Sequence, residues 1–215
     1  MKTRSIGVLL ALGMAITGAS LAAPIDDLVL AAELNDGYTV SKILQRGTDP
    51  NKPDARGRYA MNIALREDSD KALDSLLAHP QLDILAVNAN GESALMLAAI
   101  KGKLDWVQKI VKKGAPVNTA GWTPLHYACS GPDNGVAVWL LSQGADINAR
   151  SPNGSTPLMM AARYGAIDLP AALLKAGADV HIRNDQGLTA ADFAGTAGRD
   201  ELKAKLLKLM AKSGN

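Results

Sequence analysis

The chain has 215 residues, of which 47% are hydrophobic, 20% charged and 4% aromatic, a balance that supports a packed core and excludes a disordered protein. A single cysteine rules out an intrachain disulfide framework, and that cysteine and the scattered His79, His126 and His181 do not make a zinc site. The formal charge of +2 is too small to mark a nucleic-acid surface.

The first residues read as a targeting segment. Lys2 and Arg4 form a positive start, residues 6–16 are apolar apart from Gly7 and Gly13, and small residues fill 18–23. This is the layout of a secretory signal peptide. Ser20 and Ala22 occupy the small-residue positions before a cut placed between Ala22 and Ala23. Residues 1–22 are therefore expected to be a signal peptide and residues 23–215 the mature domain. The alternative is an uncleaved anchor, because the uncharged stretch from Ser5 to Ile25 approaches the roughly 20 residues a span needs; its glycines and its small, polar end weaken that reading. Losing Lys2 and Arg4 leaves 21 basic residues against 21 acidic ones, a formally neutral mature chain. The short positive and apolar regions with an Ala-type cut point to bacterial export. The expected compartment is the periplasm, with secretion beyond it as the other destination.

The rest of the chain repeats itself. Gly121-Trp122-Thr123-Pro124-Leu125-His126 returns as Gly154-Ser155-Thr156-Pro157-Leu158-Met159 and again as Gly187-Leu188-Thr189-Ala190-Ala191-Asp192. Weaker copies begin at Gly57 and Gly91. A second phrase follows in phase: Leu140-Leu141-Ser142-Gln143-Gly144-Ala145-Asp146, with counterparts in which Gly47, Gly114 and Gly177 take the place of Gly144. Thr123, Thr156 and Thr189 lie 33 residues apart. One period held over several copies is the mark of a repeat architecture.

Each unit reads as two helices. In the first unit Asp26-Asp27 stands where others carry Thr-Pro, and is expected to open the helix. In the third unit Leu104, Val107, Ile110 and Val111 give one buried stripe on a helix expected from Leu104 to Lys113. In the fourth, Thr123 caps and Pro124 opens a short helix ending near Cys129. Gly114, Gly144 and Gly177 act as helix stops. In the last unit Lys203, Lys205, Lys208 and Lys212 alternate with leucines, which reads as a capping helix with one solvated face or as a basic amphipathic membrane helix. Two spacings depart from the period. From Ser93 to Thr123 is only 30 residues, and from Tyr59 to Ser93 is 34, with His79-Pro80-Gln81 in place of the usual stop. Either the solenoid bends there or the turn has drifted.

Gly-x-Thr-Pro-Leu-His, the Ala98-Ala99 and Ala161-Ala162 pairs and Leu-Leu-x-x-Gly-Ala-Asp together resemble the ankyrin-repeat family, over about residues 24–215. The resemblance implies an all-α repeat solenoid of six stacked helix-turn-helix units with extended turns, near 24–56, 57–90, 91–120, 121–153, 154–186 and 187–215. It implies a structural role for Thr123, Pro124, Leu125, His126, Thr156 and Pro157, with His126 tying adjacent turns. It also places a protein partner in a concave groove against the turns and first helices.

Matched onto that groove, Trp122, Ser155 and Leu188 follow the turn glycines. Arg150, Asn153, Arg183 and Gln186 lie on the turns, and Arg163 and Tyr164 end a first helix. Arg66, Glu67, Ile100 and Lys101 hold the same place in units two and three. Trp, Tyr and Arg are the types that dominate binding hot spots, so Trp122, Arg150, Arg163 and Tyr164 are expected to form a contact cluster on units four and five. The position of Trp122 varies in type between units and is expected to lie outside the core, whereas Trp106 and Trp139 are expected to pack within it. Cys129 takes the place of a small alanine and reads as a buried apolar residue, or as a reactive thiol if exposed.

No nucleophile elbow, phosphate loop, dinucleotide fingerprint or metal-ligand pair occurs in the sequence. The expected function is a non-catalytic, cofactor-free protein-binding module, monomeric because a capped solenoid exposes no sheet edge. Ankyrin-like proteins of bacterial envelopes suggest an accessory or protective factor for another periplasmic protein, for instance in oxidative-stress defence. The alternatives are an immunity protein that neutralises a toxin, a secreted effector acting on host proteins, and an enzyme built on a solenoid scaffold.

Overall fold

The computed structural model describes residues 24–212. The signal-peptide reading of residues 1–22 falls outside them. Twelve helices pair into six units: α1 (Pro24–Glu33) with α2 (Gly37–Gln45), α3 (Ala60–Arg66) with α4 (Asp70–Ala78), α5 (Ala94–Ile100) with α6 (Leu104–Lys112), α7 (Pro124–Ala128) with α8 (Asn134–Ser142), α9 (Pro157–Arg163) with α10 (Leu169–Lys175), and α11 (Ala190–Thr196) with α12 (Asp200–Lys212). Among the described residues the only bridged extended pair is Val87 with Ser93. The fold is an all-helical ankyrin-repeat solenoid.

The first helices are short and thin, and this lets them stack. Ala31, Ala32, Ala64, Ala98, Ala99, Ala128, Ala161, Ala162, Ala191 and Ala194 are buried along the row α1, α3, α5, α7, α9, α11. The second helices supply the larger side chains: Val40, Leu73, Leu76, Val107, Ile110, Leu140, Leu173 and Leu206 are all buried. No unit encloses a core alone; the core runs continuously down the stack.

Two boundaries differ from expectation by one residue, since α7 ends at Ala128 and α6 at Lys112. A larger difference concerns the first unit. Helix α1 starts at Pro24, so Asp26 and Asp27 sit inside its first turn. Asp26 Oδ1 instead accepts the Ala55 N–H at 2.9 Å, tying unit one to the following turn. Trp106 is buried, with its Nε1 donating to Asp70, and Trp139 is half-buried against the core. Helix α12 buries Leu206 and leaves its four lysines exposed, as a capping helix does. No helix among the described residues is long and apolar enough to cross a membrane.

Polar bonds set the register between units. Asn51 Oδ1 accepts the Asp83 N–H at 2.8 Å, Asn118 the Asp146 N–H at 2.8 Å, and Asn148 the Asp179 N–H at 2.9 Å. Four turns share the same closing hairpin bond, from the N–H of Asp54, Asn88, Ser151 and Asn184 to the carbonyls of Arg58, Glu92, Ser155 and Leu188. The short turn before unit four closes differently. There Thr119 Oγ1 donates to the Trp122 carbonyl at 2.9 Å and closes a tighter loop.

Candidate protein-binding surface

The Thr-Pro starts position the surface residues. In unit four Thr123 and His126 cap α7 reciprocally. His126 Nε2 lies 3.0 Å from the Ser155 carbonyl, which can only accept, so Nε2 carries the proton. Nδ1 then accepts from the Thr123 N–H at 3.2 Å and from its hydroxyl at 2.9 Å. Burial holds the His126 pKa below its ordinary value, against the Ser155 and Ala149 carbonyls, which raise it. A neutral, buried, doubly bonded imidazole ties two units together and is not free to take a substrate proton.

The ring of Trp122 stands edge-on to His126, centroids 5.3 Å apart, which fixes its direction. It lines a cavity of about 220 Å³ together with Asn153, Ser155, Arg163, Tyr164 and Leu188. These residues come from units four, five and six, so Trp122, Arg163 and Tyr164 of the expected cluster lie in one place, while Arg150 does not join them. Tyr164 is 53% exposed, and the Arg163 guanidinium lies 5.1 Å from its ring centre. Cation and aromatic plane thus form one surface feature.

Other sequence-derived positions are placed differently. Ser155 is buried, 1% exposed, and offers its carbonyl to His126 rather than its hydroxyl to a partner. The variable position it shares with Arg58, Glu92, Trp122 and Leu188 is buried or half-buried in every unit, so it is not a free surface position. The reason is that its carbonyl accepts the bond that closes the turn, which holds the residue against the stack. Arg150 and Arg183 stand outside the cavity. Arg150 donates to the Arg183 carbonyl at 3.0 Å and lies 3.7 Å from Asp185, while Arg183 donates to the Gly187 carbonyl at 2.7 Å. Both brace the exposed turns. Asn153 Oδ1 accepts from the Ser151 hydroxyl at 2.7 Å.

A larger concave cavity, about 660 Å³, was not singled out by sequence reasoning. It lies between units two and three and is lined by Arg58, Tyr59, Asn62, Arg66, Glu92 and Lys101. Its charges are already engaged: Arg58 bonds Asp54 and Glu33, Lys101 bonds the Arg66 carbonyl, and Glu92 accepts from the Tyr127 hydroxyl at 3.1 Å. Burial, with Glu92 beside it, pushes the Tyr127 phenol up to about 12. Arg66, Ile100 and Lys101 were legible as groove residues; what was missing was half-buried Leu97, which beside the exposed Ile100 makes the floor apolar. Cys129 is fully buried, and burial pushes its thiol up, which makes it an apolar filler. Among the described residues no group of three or more His, Cys, Asp or Glu is placed to hold a metal ion.

Profiles described as ankyrin repeats (3 copies) match residues 28–120 and 76–151, and one described as ankyrin repeats (many copies) matches residues 141–194. The chain belongs to the ankyrin-repeat family. This ankyrin-repeat protein is 32% identical over 151 residues to the nuclear factor NF-kappa-B p105 subunit of Gallus gallus, covering 67% of the chain but only 15% of that relative. The ankyrin repeat domain of Bcl-3 superposes with a TM-score of 0.70 at 27% identity, over 84% of this chain and 81% of that one. A chain from the complex of the predatory endopeptidase Bd0816 of Bdellovibrio bacteriovorus with the immunity protein Bd3460 superposes with a TM-score of 0.72 at 28% identity, over 85% of this chain and 97% of that one. Ankyrin repeats mediate protein–protein interaction and are typically non-catalytic.

Proposed function

We propose that this ankyrin-repeat protein is an exported, non-catalytic binding module that holds a folded protein partner against its concave face in the bacterial periplasm. The observation that carries the reading is the cavity shared by units four to six, where Trp122, Arg163, Tyr164 and Leu188 converge. A rigid aromatic, a cation over a second aromatic and an apolar wall are the ingredients of a binding hot spot. Export rests on the signal-like residues 1–22, and the role on that view is accessory or protective toward another envelope protein.

A second reading, an immunity protein that neutralises a toxin, is favoured by the similarity to a chain from a complex between an endopeptidase and an immunity protein, because nearly the whole of that chain is matched. The two readings share a surface and differ in outcome. The test is affinity capture of periplasmic proteins on the immobilised mature chain, followed by assay of the captured protein's own activity. An accessory factor leaves that activity intact or raised; an immunity protein abolishes it. A partner retained equally by Arg163→Glu and the wild type would remove this surface from the proposal.

A further inference from the structure

The junction between units two and three loses its polar pairing from both sides at once. Leu85 stands where other units carry Asn51, Asn118 and Asn148, and Pro116 stands where Asp83, Asp146 and Asp179 donate a backbone N–H. Losing one partner would leave a group unsatisfied; losing both leaves apolar surface instead. The turn that follows is the short one, and its uncharged Thr119, Ala120 and Gly121 are among the residues that line the gap. The result is a cleft of about 530 Å³ lined by Ile84, Leu85, Val87 and Pro116, with Trp122 and Pro152 among its walls. Leu85 is 62% exposed and Val87 55%, so neither serves the core. None of the side chains lining the cleft is ionisable, whereas the concave cavities carry Arg58, Glu92, Lys101 and Arg163.

We propose that this cleft docks an uncharged apolar segment of the protein partner, a short stretch that presents neighbouring aliphatic or aromatic side chains. The proposal rests on the binding-module reading and adds what the partner must carry. Charge selects the occupant, since an ion entering the cleft would be desolvated with no counter-charge to meet it. Continuity places it on the same partner, since Trp122 borders both this cleft and the concave cavity of units four to six, and one bound protein reaches both around a single ring.

The probe is a short random-peptide display library selected on the mature chain, with the selected peptides then titrated against wild type, Leu85→Asn, Val87→Ser and Arg163→Glu. The expected peptides share a run of uncharged apolar residues, weaken more than about tenfold on Leu85→Asn or Val87→Ser, and bind Arg163→Glu normally. Both replaced side chains are exposed, and unchanged thermal midpoints confirm that each variant is folded. Peptides with a charged shared motif, peptides indifferent to both cleft variants, or no peptide selected at all would overturn the proposal. If captured partner is lost on Arg163→Glu while the peptides ignore Leu85→Asn, the concave reading stands and the cleft proposal falls. If captured partner is kept by Arg163→Glu while the peptides are lost on Leu85→Asn, the cleft proposal stands and the concave reading falls.

Discussion

The third position of the first helix is filled by Met96, His126, Met159 and Asp192 in units three to six, and each accepts a hydrogen bond from the backbone N–H of its capping residue. The Met96 and Met159 sulfurs accept from Ser93 and Thr156 at 3.4 Å, His126 Nδ1 from Thr123 at 3.2 Å, and Asp192 Oδ2 from Thr189 at 2.8 Å. His126 differs from the two methionines in that it can be protonated, and Nδ1 would then present a proton to the Thr123 N–H. Its folded pKa lies below the ordinary 6.5, so above that pH both states are neutral and stability is full. As pH falls below about 6.5 the unfolded chain binds a proton that the buried ring refuses, and stability drops. Urea unfolding at about pH 7 and pH 5 should therefore show a loss in the wild type that is smaller in His126→Met, a variant that keeps an acceptor. Equal losses would contradict the assignment. The carboxylate of Asp192, held below its ordinary 3.8 by the N–H and hydroxyl of Thr189, contributes a separate loss at lower pH. Residue roles were partly legible. Thr123, Pro124 and His126 announce themselves because capping chemistry is local. Ser155 did not, because its burial depends on the neighbouring unit's imidazole.

Helices were legible wherever their ends are chemical. Thr-Pro opens α7 and α9, and Gly114, Gly144 and Gly177 follow α6, α8 and α10 at positive φ. The entry of α1 is ambiguous in the sequence because acidic residues suit both a cap and a first turn, and only the neighbouring turn's Ala55 N–H decides between them. The end of the stack also depends on a distant contact: Arg199, at the start of the last helix pair's second arm, donates to the Ala161, Ala162 and Gly165 carbonyls at the end of α9. In α8, Leu140 is fully buried within the continuous core. Leu140→Ala should cost about 2–5 kcal/mol in denaturant unfolding, because rigid neighbours on both sides limit collapse into the space. A cost under about 0.5 kcal/mol would contradict the packing register.

At the scale of the whole molecule, stacking follows from the period, and the period is plain in the sequence: one unit cannot bury its own apolar face, and six in register can. The surfaces between units were harder to read. The cluster around Trp122 was legible because hot-spot residue types fell on matched positions, while the larger cavity between units two and three depends on Leu97 and Ile100 facing a turn many residues away. The cleft at Leu85 and Pro116 was encoded in two departures from the repeat that look unrelated until the inter-unit bonds are laid out. The central claim is that the concave face of units four to six binds a protein. The measurement that tests it most directly is titration calorimetry of the captured partner against the wild type and the Trp122→Ala/Arg163→Glu variant. A loss of about 2 kcal/mol or more in the variant, with its helical content retained, is the predicted result. An affinity equal to that of the wild type would contradict it.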